Sequence, residues 1–576
     1  MNGIITAILT FSENNPALAK QLTTVFRWVF VILAVYILLR AILSLLSTRA
    51  TPEVWGYLSV QNTTGQPITH WENVIGRSKS ADLNVPLKTI SNNQAILVRK
   101  DNNKWMIEDV GSKNGTSVNG VDLVQGKKYL IEPGDEIVMG GVRSTLIGMS
   151  LEENLNNEEM RKMDKEPVDP WKLLLAITVF QVMTVVQLII SMGSQITAGT
   201  VLSFVLLSVM MWVYVMVFKG LGRKGFEMEM IAFFMSTINL AVTSSSAPEN
   251  TLKEFFAILI GVALMIFMCV YLRDLERTKK LRPIVAGLSV VLLAFNLVFG
   301  TVKYGSANWV YIGSLSIQPS EIVKLAFICI GAATLEELFQ KKNILLYALF
   351  SLFCLGCLAL MGDFGTALIF FVTYIVVSFL RSGDFSKMLL TVVGAGAMGL
   401  LVLRFKPYIA TRFETWGHVW EYADAEGYQQ TRTMSYGAGG GLLGLGAGNG
   451  SLKYVGASNT DLVFGFVMEE WGLIIAILLV LCIITLSLFA VLSIIAGRST
   501  FYTIGACGAA TMMIFQTILN IFGAIDFFPL TGVTFPFVST GGTSMICSWG
   551  MLAYFKAADM RRDASLAIKR KSKWEY

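Results

Sequence analysis

The sequence predicts a polytopic α-helical membrane protein of about thirteen transmembrane helices, joined to a small cytoplasmic all-β sandwich. Three observations carry this reading. Of 576 residues, 54% are hydrophobic and only 15% charged, with a mean hydropathy of +0.59, a balance that an ordinary soluble chain does not show. Apolar runs of roughly 17–25 residues, each long enough to cross a bilayer, recur along most of the chain. A single long polar tract, residues 50–168, interrupts them and is long enough for one small domain.

Taken in order, residues 1–49 hold an extracytoplasmic amino terminus and one transmembrane anchor at 24–47. No small-residue cleavage pattern follows that span, so it reads as a retained anchor and not a signal peptide. Residues 50–150 form the polar domain, in which Val54–Gln61, Ala95–Arg99, Lys104–Glu108, Thr116–Val118, Lys128–Ile131 and Glu136–Met139 are strand-like runs separated by Gly, Asn and Asp. Residues 151–169 read as a linker. Spans follow near 170–192, 198–219, 228–247, 253–272, 282–301, 320–338, 344–361, 365–381 and 387–404, then a large outer loop at 405–460. The last three spans lie near 462–494, 502–524 and 542–558, within a membrane domain of 170–560, and a basic tail occupies 561–576.

Loop charge orients the chain. Lys219/Arg223/Lys224, Arg273/Arg277/Lys279/Lys280/Arg282, Lys341/Lys342, Arg381/Lys387, Arg498 and Lys569-Arg-Lys571 fall on alternate sides of successive spans and read as cytoplasmic. Arg40 and Arg49 place the polar domain inside and the amino terminus outside, and the basic tail places the carboxyl terminus inside. No nucleic-acid partner is expected.

All seven cysteines (Cys269, Cys329, Cys354, Cys357, Cys482, Cys507, Cys547) lie in apolar stretches, which excludes an extracellular disulfide framework and a water-accessible zinc site. Cys354-Leu-Gly-Cys357 reads as buried helix packing. Only His70 and His418 are present, so acid–base chemistry must rest on carboxylates.

The polar domain contains Ile75-Gly-Arg-Ser78, Ser80-Ala-Asp82, Ile90-Ser91, Asp109-Val-Gly-Ser-Lys-Asn-Gly-Thr116, Asn119-Gly120 and Gly134-Asp135, in that order. This series resembles a forkhead-associated (FHA) domain, a phosphothreonine-peptide binder. The resemblance gives Arg77 and Ser91 the phosphate and Lys113, Asn114 and Asn119 the rest of the peptide, roles that suit charged and amide donors. The family's Ser-Arg-x-His is here Ser91-Asn92-Asn93-Gln94. Either Gln94 replaces the hydrogen bonds of the structural histidine or phosphopeptide binding is weakened or lost.

Five stations mark the membrane portion. Gln318-Pro-Ser-Glu-Ile-Val-Lys324 opens a span at its outer end; Ser320 fits a helix cap, and Glu321 and Lys324 share one helix face. Gly362-Asp-Phe-Gly-Thr-Ala367 lies between two spans, where Asp363 is either a helix cap or a metal or sugar contact. The outer loop holds Gly427-Tyr-Gln429 and the glycine-rich 437–450, and leads to Asn459-Thr-Asp-Leu-Val-Phe464 and Glu469-Glu-Trp-Gly472. Asn459, Thr460 and Asp461 are all good helix caps as well as candidate site residues. Glu469 and Glu470, eight and nine residues into the helix, fall about 12–14 Å below its outer end and read as supporting groups facing a partner or a wet cavity. The last station is Gln516, Asn520 and Gly523 with Pro529-Leu-Thr-Gly-Val-Thr-Phe-Pro-Phe-Val-Ser-Thr-Gly-Gly-Thr-Ser544, which lines a polar cavity or fills space as a re-entrant turn.

From about residue 282 onward these stations resemble the SEDS (shape, elongation, division and sporulation) family, which includes FtsW, RodA and SpoVE. The resemblance implies a peptidoglycan polymerase that uses lipid II at the outer face of the bacterial cytoplasmic membrane, alongside a class B penicillin-binding protein. It implies Asp461 as the base of an inverting glycosyl transfer. It further implies substrate contacts at Gln318, Glu321, Lys324, Asp363, Thr366, Thr460, Ser539, Gly541 and Gly542. A leaving diphosphate requires positive charge, for which the outer loop offers Lys406, Arg412, Arg432 and Lys453, with a divalent Mg or Mn ion and no organic cofactor. Two rival classes stand beside the polymerase: a lipid II flippase whose path is lined by Glu469, Glu470, Asp363 and Lys324, and a catalytically reduced scaffold that recruits a penicillin-binding protein.

Three features depart from the family pattern. Ala307-Asn308-Trp309 stands where an Arg-Trp pair is usual, leaving Lys303 as the nearest base, and Thr431-Arg432-Thr433 replaces a Gln-Ser pair. Five spans, not three, lie between residue 168 and Gln318, so two helices look added.

Overall fold

The computed structural model describes residues 2–568 apart from 49–50, 62–64, 79–80, 100–103, 304–305, 314, 336–340, 383–384, 406, 494–496 and 498. The expectations for Arg49, Ser80, Lys406, Arg498 and Lys569-Arg-Lys571 fall outside those residues, as do the side chains of Lys303, Lys341, Lys342, Arg381 and Lys387.

Two helices open the chain, α1 (Asn2–Asn14) and α2 (Pro16–Ser47). Eleven strands follow: β1 (Gly56–Val60), β2 (Gln66–Ile68), β3 (Glu72–Gly76), β4 (Leu83–Asn84), β5 (Ala95–Arg99), β6 (Trp105–Asp109), β7 (Thr116–Val118), β8 (Val121–Asp122), β9 (Lys128–Ile131), β10 (Glu136–Met139) and β11 (Val142–Gly148). They form a sheet ordered β2-β1-β11-β10-β7-β8 facing another ordered β4-β3-β5-β6-β9. Alternation drives the packing: Val142, Ser144 and Leu146 of β11 point inward while Arg143 and Thr145 point away. Leu58, Ile75, Leu97, Ile107 and Ile137 complete a dry core between the sheets.

The expected linker is largely helical. Ser150 caps α3 (Leu151–Met163) by accepting the Glu153 N–H, and the Glu153 carboxylate accepts the Ser150 N–H in return. This Ser-x-x-Glu capping box was present in the sequence.

The membrane portion comprises α4 (Trp171–Met192), α5 (Ala198–Gly220), α6 (Glu227–Ser246), α7 (Thr251–Tyr271), α8 (Leu275–Phe299), a three-stranded sheet of β12 (Thr301–Lys303), β13 (Ser306–Ile312) and β14 (Leu315–Ile317), then α9 (Pro319–Leu335), α10 (Lys341–Met361), α11 (Phe364–Ser382), α12 (Phe385–Phe405), α13 (Pro407–Thr415), α14 (Tyr428–Gly440), α15 (Val463–Ser493), α16 (Thr500–Ala524) and α17 (Gly542–Ala558). A helix stands at each of the thirteen predicted spans. Among the described residues, eight helices are long and apolar enough to cross a membrane: α2, α4, α5, α7, α8, α10, α15 and α16. Helix α6 falls outside that set because two glutamates, Asn239 and a run of Ser and Thr lower its hydropathy; it is almost wholly enclosed by its neighbours.

The first span is not a detached anchor. Phe30 on α2 lies 4.8 Å from Phe180 on α4 and 4.9 Å from Trp471 on α15, ring centre to ring centre, so α2 is part of the bundle core.

One face of the bundle is fastened by ion pairs. Buried Arg561 reaches Glu227 at 3.1 Å and Asp559 at 2.9 Å, and donates to the Thr48 hydroxyl just past α2. Lys556 pairs with Glu229 at 2.9 Å. Residues 561–568, expected to belong to a basic tail, are therefore partly packed against this face. The sandwich lies on the same side, where the Glu72 carboxylate accepts the Thr500 N–H at 3.1 Å and the Ser499 hydroxyl at 3.3 Å.

Candidate active site and its family

The opposite face holds a cavity of about 180 Å³ built from seven chain segments. The start of α9 contributes Gln318 and Glu321, the α10–α11 turn contributes Gly362, Asp363 and Thr366, and α13 contributes Arg412. Thr460 and Asp461 come from the end of the segment between α14 and α15, Thr531–Thr534 from the segment after α16, and Thr540, Gly541 and Ser544 from the start of α17. Ser306, Asn308 and Trp309 on β13 close the wall.

Each side chain is held by its element. Asp363 caps α11, its Oδ1 accepting the Thr366 N–H at 3.0 Å; its Oδ2 accepts the Asn308 amide. Asn308 also donates to Ser320 Oγ at 2.9 Å and accepts from Asn296 at 2.9 Å. The position where a basic residue was expected thus carries a buried amide that fixes a carboxylate. Glu321 pairs with Lys324 at 2.6 Å, and Lys324 donates to Gln516 Oε1 at 3.1 Å. Lys324 is 1% exposed and stands behind the cavity wall.

Asp461 is partly buried on the turn before α15. Its carbonyl accepts the Asn520 amide at 3.0 Å, and the same amide bonds the Val533 carbonyl at 2.8 Å. Ser539 donates to the Thr460 carbonyl at 2.5 Å. Gly532 faces the Asp461 carboxylate with φ +70, and a Cβ there would lie 3.4 Å from Oδ2.

Glu469 and Glu470 lie in the first turns of α15, just before it breaks at Gly472 (φ 88, ψ 162). Across the break the glycine-rich segment supplies backbone partners: Leu445 N–H to Glu469 O at 2.8 Å, Gly446 N–H to Glu470 O at 2.9 Å, and Leu473 N–H to Gly441 O at 3.0 Å. A Cβ on Gly472 would collide with the Leu442 carbonyl. The carboxylates complete the clamp. Glu469 accepts the N–H groups of Ser451 (2.7 Å) and Leu452 (2.8 Å); Glu470 accepts those of Gly448 (3.0 Å) and Gly450 (3.3 Å) and the Ser245 hydroxyl. They shape the loop that delivers Asp461.

Of the predicted contacts, Gln318, Glu321, Asp363, Thr366, Arg412, Thr460, Asp461 and Gly541 line the cavity. Ser539 and Lys324 brace it from behind, and Gly542 begins α17 against Ala257. Arg432 stands over the Tyr428 ring near Asp424, and Lys453 donates to the Gly448 carbonyl; neither lines the cavity. Sequence reasoning passed over Ser306, Trp309, Thr531, Gly532, Thr534, Thr540 and Ser544 as individual site residues, and read Asn308 only as a missing base. Among the described residues no three His, Cys, Asp or Glu side chains converge.

On the sandwich, Arg77, Ser91, Lys113 and Asn114 meet at one end. Ser91 Oγ accepts the Lys113 N–H at 3.0 Å, Asn114 donates to the Thr89 carbonyl at 2.7 Å, and exposed Arg77 donates to Asn92 at 3.3 Å. Buried Gln94 accepts the Ser91 N–H at 2.9 Å and donates to the Gly115 carbonyl (2.8 Å) and Thr116 hydroxyl (3.1 Å), bridging the two loops. Asn119 is instead tied to Asp135 and the Glu136 N–H.

The profile of the FtsW, RodA and SpoVE family, described as cell cycle protein, matches residues 225–562. The chain belongs to this family. An FHA domain profile matches residues 73–140. Among relatives, “Probable peptidoglycan glycosyltransferase FtsW” of Bacillus subtilis (strain 168) is 30% identical over 369 residues, 59% of this chain and 89% of that one. The protein of the same name from Buchnera aphidicola is 30% identical over 278 residues, 46% of this chain and 70% of that one. A solved chain from “Structural coordination of polymerization and crosslinking by a peptidoglycan synthase complex” is 27% identical over 58% of this chain and 97% of its own length, with a TM-score of 0.48. The FtsW/RodA/SpoVE match begins at α6, earlier than the resemblance near residue 282 implied. Three helices, α6, α7 and α8, then precede Gln318, and α2, α4 and α5 lie outside the matched region.

Proposed function

We propose that this membrane protein is a peptidoglycan glycosyltransferase that polymerises glycan strands from lipid II at the outer face of the cytoplasmic membrane, in cell division, elongation or sporulation. Asp461 acts as the base. It takes the proton from the acceptor sugar's 4-hydroxyl as that oxygen attacks the donor's anomeric carbon and the lipid diphosphate leaves, inverting the centre. The observation that carries this reading is the convergence of Asp461 and Arg412 on one cavity. A carboxylate that can accept a proton and a guanidinium that can meet a leaving diphosphate share a small space. The starts of α9, α11 and α17 face the same space and favour negative charge there.

The sandwich and the Arg561 network lie on the face away from the cavity, which supports an outer active site, a cytoplasmic FHA domain and carboxyl terminus, and an outer amino terminus. A class B penicillin-binding protein is the partner that cross-links the product, and a phosphothreonine protein is the ligand of the Arg77–Ser91 end of the FHA domain. The flippase reading loses support because Glu469 and Glu470 are consumed by loop amides and Lys324 by Glu321 and Gln516.

The test is lipid II polymerisation by the purified protein with a class B penicillin-binding protein, wild type against Asp461→Asn. Polymer from the wild type that is lost in the variant is expected. Equal polymer from both would remove Asp461 as base.

A further inference from the structure

Helix α16 joins the FHA domain to the cavity. At its first turn, Glu72 of β3 accepts the Thr500 N–H and the Ser499 hydroxyl, so a carboxylate from the sandwich completes the cap of a membrane helix. Neighbouring Trp71 packs on the bundle's hydrophobic core, so the sandwich is seated on the membrane domain by both an apolar and a polar contact. From Thr500 to Asn520 the helix rises about 30 Å at roughly 1.5 Å per residue, close to the thickness of a bilayer's hydrocarbon core.

At the far end the same helix grips three walls of the cavity. Asn520 bonds the carbonyls of Asp461 and Val533 with one amide. Gln516 donates to the Thr534 carbonyl and hydroxyl at 2.8 Å and accepts from Lys324, the partner of Glu321. Most of α16 is buried among its neighbours, and a packed helix shifts as a unit more readily than it bends. Strand β3 carries Glu72 at one end and is followed by exposed Arg77 at the other.

We propose that α16 is the element through which the FHA domain sets the geometry of the Asp461 cavity, with Asn520 and Gln516 as positioning residues. A shift of the sandwich pulls on the cap at Ser499–Thr500. The displacement passes along the helix and changes the spacing between Asp461 and the 531–534 wall. For its effect on catalysis this rests on the glycosyltransferase reading; for its effect on structure it does not.

The experiment uses the full chain in lipid nanodiscs and reads backbone hydrogen exchange. Glu72→Ala removes the contact from the sandwich side. Thr500→Pro removes the amide donor from the helix side, at a first-turn position where proline is tolerated. Both are expected to raise exchange several-fold at 460–463 and 531–534 as well as locally, while Glu72→Gln, which keeps an acceptor oxygen, stays near wild type. Asn520→Ala raises exchange at the cavity segments alone. If both Glu72→Ala and Thr500→Pro raise exchange only near 499–502, the proposal is overturned. In polymerisation assays Glu72→Ala should lower the rate several-fold, yet add nothing on an Asn520→Ala background; independent, multiplicative losses would also overturn it. Absence of polymer from wild type would reject the enzymatic reading while the exchange result still decides the coupling.

Discussion

Asp461 stands opposite a glycine for a steric reason. Gly532 has φ +70 and faces the Asp461 Oδ2 with room for no more than van der Waals contact. Alanine there would adopt a left-handed backbone at a cost of about 1–2 kcal/mol, and relief of that strain would shift the segment that touches the carboxylate. Gly532→Ala is expected to leave a folded protein whose polymerisation rate falls on the order of 10- to 100-fold, the scale for a displaced reacting group. A lipid II assay on protein checked for monodispersity measures this, and an unchanged rate would separate Asp461 from the chemistry. Asn308 shows how residue identity misleads when read alone: it breaks a family pattern in sequence, yet in the fold its amide satisfies Asp363, Ser320 and Asn296 together.

Among elements, the FHA sandwich depends on carboxylates that hold its turns. Burial acts to raise the Asp109 carboxyl, but the hydroxyls of Ser112 and Thr116 and the N–H groups of Ser112 and Gly111 hold it below its ordinary value. The Glu132 N–H and the Asn119 amide do the same for Asp135. Folded values below the unfolded carboxylate value of about 3.9 mean that this stabilisation is complete above that pH and is lost as pH falls through the folded values. Pepsin cleavage within 105–145 of the intact protein should therefore rise steeply between about pH 4 and 2, below the unfolded carboxylate value. Asp109→Asn should flatten that rise; identical profiles would show that Asp109 does not couple folding to pH. Strands such as β5, β7, β9 and β10 were legible because alternation and turn residues are local signals. The break at Gly472 was not, since its replacement hydrogen bonds come from residues 441–446, well apart in the chain. An apolar run with one glycine reads as a continuous helix until that partner is known.

At the scale of the whole molecule the cavity was legible as an ordered set of stations but not as a space, because β13, α13 and the 531–534 segment meet only through long-range packing. The same holds for the opposite face. Arg561 reads as tail charge in sequence, yet it is 5% exposed and joins α6, the end of α17 and the residue after α2. Removing one member of such a buried set leaves the others uncompensated, at about 3–5 kcal/mol, whereas replacing all of them with apolar residues is often near neutral. Arg561→Met should lower the thermal midpoint in detergent. Adding Glu227→Met and Asp559→Leu to it should recover much of the loss, because the stranded carboxylates are then gone. A single variant as stable as wild type would mean that α2, α6 and α17 are held together by apolar packing alone, and that the ion network orders this face without stabilising it.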